Sequence, residues 1–286
     1  SMPHYLKNNR DGTFTFDKLP DVSNNANDPE KVLEWKIRDV GSIRTNPLPS
    51  FVTTDNNDPK SIQSIFFHRN RLGFVSGENV VLSRPHDYFN FFIVSAITTS
   101  DDNPIDITVS DTKPAFIRHT LPIQKGVMML SDNGQFLLFT ESDIFSPKTA
   151  RLKKISSYEC DADLKPVDMG TSVMWASTVG AFTRTYEAVI LDDDAPPKVI
   201  EQTRVIPELI PNDITLVTNS SALGLVAYAK TGRNDGQVNK NIYFYKYFDT
   251  GDRRDQSSWF SWTITGRLQH AFFTSGNLYT VTEQNN

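Results

Sequence analysis

The chain has 286 residues, 38% of them hydrophobic and 22% charged, enough to bury a full core in one large domain or two modest ones. Its 29 Lys and Arg against 34 Asp and Glu leave a net charge of −5, which argues against a module that grips duplex nucleic acid through phosphate contacts. The single cysteine, Cys160, excludes an internal disulfide and a cysteine-built zinc cage, and reads as a half-buried strand residue. No run approaches the roughly 18 apolar residues of a membrane span, and the opening SMPHYLKNN has no signal-peptide core, so a soluble globular protein is expected. Ser1-Met2 and the polar end at residues 282–286 suggest a domain cut from a longer chain.

In chain order, what recurs is a hairpin. Tyr5 to Leu19 gives two alternating runs around Asp11-Gly12, a strong turn signal. Asp21 to Pro29 is a polar loop, and Leu33 to Val40 reads as a strand with Leu33, Trp35 and Ile37 on one face, ended by the Gly and Pro of residues 41–49. From Ile65 to Asp106, the short apolar runs Ile65 to Phe67, Leu72 to Val75, Val80 to Leu82 and Phe89 to Ile93 predict a meander of about four strands, with Gly77-Glu78-Asn79 at a tight bend. Further hairpins follow at Val127 to Phe139 (bend Asp132 to Gly134), Ser172 to Tyr186 (Gly180), Ile214 to Tyr228 (Asn219 to Ser221) and His270 to Val281 (Ser275 to Asn277).

These five copies have first strands near residues 65, 127, 172, 214 and 268, a spacing that means blades in an all-β chain. The fold class predicted is therefore all-β, a β-propeller forming a single domain over residues 1–286. The fourth copy shows a whole blade, its Ile242 to Phe248 and Trp259 to Ile264 strands joined by a charged loop, Asp249 to Ser258. The fifth has only a hairpin, and the amino-terminal strands of residues 5–40 are expected to complete it at residues 268–283, closing the ring and removing its exposed edges. Five blades result, or six if Asp106 to Gln124 hides another strand pair. Apolar residues nowhere hold a 3.6-residue period for long, which disfavours an α/β enzyme fold.

The segments NPLPSF (Asn46 to Phe51), FFHRNRLGFVSGENVVLSR (Phe66 to Arg84), YFNFF (Tyr88 to Phe92) and DDNPIDITVS (Asp101 to Ser110) resemble the signature run of the tail tubular protein B, or nozzle, family of short-tailed phages. The similarity begins at Met2 to His4 and continues through LSDNGQFLLF at Leu130, the Pro207 to Pro211 segment, IYFYKYF and WFSW; family members are much longer, so it is their central propeller portion that this chain resembles. The resemblance implies a virion structural protein, a homohexamer at the distal end of the tail below the adaptor protein, enclosing the channel through which phage DNA leaves without sequence-specific binding. It also implies possible contact with the host envelope. An acidic balance suits a channel that must not hold phosphates.

On this reading the signature loops, with Asn46, Pro47, Pro49, Arg69, Asn70, Arg71, Gly73, Gly77, Asn79, Arg84, Asp101, Asp102 and Asp106, serve structure or subunit contact. Phe66, Phe67, Phe74, Phe89 and Phe91 read as blade core, and Arg69, Arg71 and Arg84 as loop braces paired with Asp101, Asp102 or Asp106. The acidic cluster around Asn103 lacks the alternating ligand pattern of a calcium loop, and Asp192 to Asp194 reads as a solvated loop. The histidines His4, His68, His86, His119 and His270 have no metal spacing, and neither a nucleophile elbow nor a phosphate loop occurs, so no catalytic residue, metal or cofactor is expected. Two rivals remain: a five-bladed glycosidase acting on host-surface glycan, with Asp106, Glu141, Asp192 and Glu208 as the available carboxylates, and a carbohydrate-binding module using Tyr88, Trp259 and Trp262.

Overall fold

The computed structural model describes residues 4–18, 35–52, 61–189, 197–232, 240–250 and 253–284. Among these residues every regular element is a β-strand, and each sheet pairing is antiparallel between strands adjacent in sequence. The chain divides into two compact units, residues 1–154 and 155–286.

The first unit opens with the hairpin β1 (His4–Asn8) and β2 (Phe14–Lys18), turned at Asp11-Gly12 as the sequence predicts, with Gly12 at φ +89°. A four-stranded meander follows, β3 (Ser64–His68), β4 (Arg71–Ser76), β5 (Asn79–Leu82) and β6 (Ile105–Thr108). Its first bend is a two-residue loop, Arg69-Asn70, with both residues at positive φ, the conformation whose twist matches the flanking strands. The second meander is β7 (Ile117–Ile123), β8 (Gly126–Ser131), β9 (Gly134–Thr140) and β10 (Ala150–Ser156).

Strand alternation decides how these sheets pack. One face of the first sheet carries Phe66, Val75, Val80, Leu82 and Ile105, and these bury against Val127, Met129, Phe136 and Leu138 of the second. The reverse face carries Phe74 and Val81, covered by Trp35, Phe51 and Phe91; Trp35 and Phe91 stack at 5.0 Å. The first sheet is thus apolar on both sides and needs a neighbour on each.

The second unit repeats the scheme with β11 (Val167–Asp168), β12 (Ser172–Val179), β13 (Phe182–Val189) and β14 (Lys198–Glu201), then β15 (Leu216–Ser220), β16 (Leu225–Ala229), β17 (Asn241–Thr250) and β18 (Arg253–Thr263). It ends with the hairpin β19 (Arg267–Thr274) and β20 (Asn277–Glu283). Met174, Ala176, Val226, Tyr228 and Tyr245 form the core between the two sheets, while Ala227, Ile242, Phe244, Leu268 and Ala271 form the one between the second sheet and the hairpin. The first strands of successive sheets lie against each other, β3 on β7, β11 on β15 and β15 on β19. A hydrogen bond between the Ser64 and Thr120 hydroxyls (2.7 Å) ties the first of these pairs, and one from the Asn219 side chain to the Asp168 carbonyl ties the second.

Several sequence expectations need correction. Phe89 to Ile93 is a loop, and the fourth strand of the first meander is Ile105–Thr108. Asn90 interrupts the run: its side chain accepts from the Phe92 N–H (3.1 Å) and donates to Asp87 (2.9 Å), competing locally with a ladder. Beyond a single bridge at Trp35, residues 36–40 form no strand; Leu33 lies outside the described residues. The hairpins at Val127 and Ser172 are the second and third strands of their sheets, with β7 and β11 ahead of them, so the copies are out of phase with the predicted frame. Asp106 to Gln124 holds the end of β6 and all of β7 rather than an extra pair. Asp249 to Ser258 belongs largely to one long β17–β18 hairpin, and the bend placed at Asn219 to Ser221 falls at residues 221–224, with Gly224 at φ +58°.

Gly73 shows how tightly the first inter-sheet core is packed. A Cβ there would sit 2.3 Å from the Phe66 ring directly opposite. Gly73→Ala should therefore destabilise the protein by about 1–3 kcal/mol through overpacking, with partial recovery in a Gly73→Ala/Phe66→Leu double variant, both read by urea melts.

Candidate functional site

The residues of the signature run converge on one buried cation. Arg71 starts β4 and is 2% exposed, and its guanidinium donates to the carbonyls of Ser83 (2.8 Å), Asn103 (2.7 Å), Asp101 (2.9 Å) and Phe145 (3.3 Å). These four partners come from the end of β5, the loop before β6 and the loop before β10. A planar fork of donors can serve several carbonyls at fixed angles, which an ammonium cannot. Burial pulls the Arg71 pKa down to about 10, so it remains charged at neutral pH.

The neighbouring signature residues tie the same loops. Arg84 pairs with the Asp102 carboxylate, whose pKa is held below its usual value by the Ser100 hydroxyl and then by Arg84. Arg69, at φ +45°, donates to the Asp143 carbonyl at 3.1 Å, and Asn70 (φ +58°) lies 3.4 Å from the His86 ring. Asp106 accepts from the Ser50 N–H (2.9 Å) and hydroxyl (2.7 Å). Asn46, 2% exposed, donates to the carbonyls of Val40 (2.8 Å) and Ile93 (3.1 Å) and accepts from the Ile93 N–H (3.2 Å). Pro49 is buried and Pro47 exposed, Gly77 supplies φ +63° at its bend, and Asn79 accepts from the Thr108 hydroxyl at 2.7 Å.

The expected Arg–Asp pairing is found only for Arg84 with Asp102. Arg71 and Arg69 brace loops through backbone carbonyls instead, and Asp101 contributes its carbonyl. Among the described residues no group of three carboxylates, histidines or cysteines is placed to hold a metal ion. Of the carboxylates available to a glycosidase, Asp106, Glu141 and Glu208 are exposed, and Asp192 lies outside the described residues with Asp193 and Asp194. Of the candidate sugar-binding aromatics, Tyr88 sits edge-on to Phe67, Trp259 is half-buried against Tyr228 and Tyr245, and Trp262 is 53% exposed.

A second polar centre, in the second unit, was missed from the sequence. Glu187 on β13 is wholly buried, and Arg254 on β18 reaches it with two bonds of 3.0 and 2.7 Å. The same carboxylate accepts from the Ser172 hydroxyl (2.5 Å) and the Gln202 amide (2.6 Å). Arg254 also pairs with Asp249, donates to the Tyr245 hydroxyl at 2.9 Å, and lies 5.1 Å over the Tyr247 ring. Burial works against the Arg254 charge, but its bonds to Glu187 and Asp249 outweigh that and raise its pKa. Burial pushes the Tyr247 hydroxyl up to about 12. The one sequence signal was a lone Glu inside the strand FTRTYEAV, which is otherwise free of acidic residues. Every oxygen of Glu187 is occupied, so the arrangement clamps two sheets together and leaves no lone pair for acid–base chemistry.

These contacts hold loops and sheets of the fold together, Arg71 within the first unit and Glu187 with Arg254 within the second. The chain belongs to the bacteriophage nozzle protein family, whose profile matches residues 1–286, and thus to the components of the phage tail. It is similar to the tail tubular protein gp12 of Escherichia phage T7, 32% identical over 270 residues that cover 94% of this chain and 31% of that protein. The chain therefore spans about a third of the length of the curated relative it matches.

Removing one partner of the buried pair leaves an uncompensated charge. Glu187→Gln should cost about 3–5 kcal/mol in a chemical melt, whereas the exposed Arg253→Gln should change little. The pH profile should show His68, which burial against Phe145 and then the Arg69 charge lower from 6.5 to about 4. The unfolded chain binds the extra proton between these values, so stability is full above about pH 6.5 and falls as pH drops towards 4. Thermal melts of His68→Gln should be flatter across that window than those of the parent.

Proposed function

We propose that this chain is a five-bladed β-propeller acting as a rigid wall element of the tail nozzle, with no catalytic task of its own. The observation that carries it is the use made of the family's signature residues: each one with a polar partner holds a loop or a bend of the same fold. Five blades are supported by the strand inventory. Among the described residues four sheets have four strands each, and two further sheets are the two-stranded hairpins β1–β2 and β19–β20, which this reading joins as the halves of one blade. The stretch that a sixth blade would have needed is already spent on β6 and β7. In this reading residues 1–286 are one domain, and the amino-terminal hairpin completes the last blade.

Within each unit the first strands of neighbouring sheets lie against each other, β3 on β7, β11 on β15 and β15 on β19, which supports a ring too tight at its centre to pass a duplex. The exit path for phage DNA then runs between copies. Six copies of the full-length protein would enclose it below the tail adaptor protein, with an acidic wall that lets phosphates slide past and an outer surface free to meet the host envelope.

Two measurements test the reading. Deleting residues 1–40 should abolish cooperative melting; an unchanged transition would overturn ring closure. Tails carrying a tag on this segment should show six copies of it at the distal end in averaged electron micrographs, and a different count or position would overturn the nozzle assignment.

A further inference from the structure

Within the first unit, loops around Thr45, Ile97, Asn103 and Pro147 enclose a cavity of about 230 Å³. None of the residues that line it is charged. Asn103 is the only buried one among them, 3% exposed, and so forms the floor. Its Oδ1 is buried and has no hydrogen-bond partner among the described residues. Such an atom is costly to leave unpaired, and in native proteins it generally marks a group that something outside the chain completes.

The walls are fixed by the same signature residues that brace the fold. Arg71 donates to the Asn103 carbonyl (2.7 Å) and to that of Phe145 (3.3 Å), two residues before Pro147. Asn46 holds Ile93 from both sides of its backbone, donating to its carbonyl (3.1 Å) and accepting from its N–H (3.2 Å). The Ser95 hydroxyl accepts from the N–H groups of Ile97 (3.3 Å) and Thr98 (3.2 Å), which sets the loop between them. Thr45 is engaged in the same way, its hydroxyl accepting from the Ser42 N–H at 2.9 Å. With these hydroxyls spent on turns, a water on the floor would find Asn103 and little else, whereas buried waters make about three hydrogen bonds. At the rim Ile97 is 96% exposed, a large apolar side chain standing over the opening with nothing on it.

We propose that this cavity is a binding site for the acetamido group of an N-acetylated sugar, with Asn103 as the residue that recognises it. A primary amide offers one acceptor and one donor in a plane, and a secondary amide presents the complementary pair: its N–H donates to Oδ1 and its carbonyl accepts from Nδ2. The acetyl methyl lies against Ala96 and Pro104, the sugar ring covers Ile97, and Thr99 is placed for a ring hydroxyl. The uncharged lining selects a neutral ligand, because a phosphate, a carboxylate or a cation would enter without a counter-charge. The volume lies below the roughly 300–1,000 Å³ of sites for drug-sized molecules, which suits one sugar residue better than a length of peptide. The group recognised is set by the cavity alone, whichever face of the tail it lies on.

Titration of the isotope-labelled chain with N-acetylglucosamine, followed by NMR, tests the site directly. The side-chain amide of Asn103 should shift along a saturable curve, and glucose and glucosamine, which lack the acetyl group, should leave it in place. Asn103→Leu removes an amide that bonds to nothing else in the fold, so it should keep the parent melting temperature while weakening the sugar by about tenfold or more. Ile97→Asp, changed at a fully exposed position, should likewise fold as the parent does and bind more weakly. No saturable shift, an equal response to glucose, or affinity unchanged in both variants overturns the proposal. A markedly lower melting temperature for Asn103→Leu does so too, since it would show the amide serving the fold through an internal water. Preference for N-acetylalanine methylamide over the sugar would give the cavity to a peptide and overturn the sugar assignment.

Discussion

A four-stranded sheet whose faces are both apolar cannot exist in water by itself, and the rest of this molecule follows from that constraint. Phe66 and Val75 point one way from the first sheet, and Phe74 and Val81 the other; both sets are buried. The sheet of β15 to β18 obeys the same rule, with Tyr245 in one core and Phe244 in the next. Within each unit stacking therefore propagates from sheet to sheet, from β3–β6 to β7–β10 in the first and from β11–β14 through β15–β18 to β19–β20 in the second. The two-stranded hairpins are also where large apolar side chains reach solvent: Leu6, Phe14 and Phe16 on the first hairpin, Phe272, Tyr279 and Val281 on the last. An isolated two-stranded hairpin is marginal in water, so the exposures mark surfaces that need cover.

Apolar stacking is non-directional and does not by itself fix how sheets are rotated on each other. Buried polar contacts supply that. Arg71 must reach four carbonyls at once, which ties the loops before β6 and β10 to the first sheet in one geometry. Glu187 and Arg254 do the same between β13 and β18, with bidentate bonds that tolerate little sliding. Replacing such groups with apolar ones is often neutral for stability. Their presence fits a requirement for a single arrangement more than a requirement for a higher melting point.

The sequence disclosed the strands whose bends need positive φ and whose faces alternate, such as Asp11-Gly12 and the Val127 to Phe139 hairpin. It also disclosed the family, because RNRLGF and DDNPID lie in register with the loops they brace. It misled where a local side-chain bond outcompeted the ladder, as Asn90 does in YFNFF, and where a strand lacked apolar alternation, as in β7 (IRHTLPI), whose absence from the reading shifted the frame of the repeats. The partners of Arg71 were out of reach for a different reason. Carbonyl oxygens are present at every residue, so no pattern of side chains announces which four an arginine will find.

The same point bears on how the signature residues are used in this fold. A catalytic constellation is conserved in type because its side chains must react, and it leaves lone pairs or protons free towards a cleft. Here the charged signature groups are turned inward or paired: Arg71 to carbonyls, Arg84 to Asp102, Asp106 to Ser50. Chemistry in this protein is spent on holding loops in register. β18 carries its charges in its first three residues, where Arg254 reaches Glu187, and β10 carries Arg151, Lys153 and Lys154 along its middle.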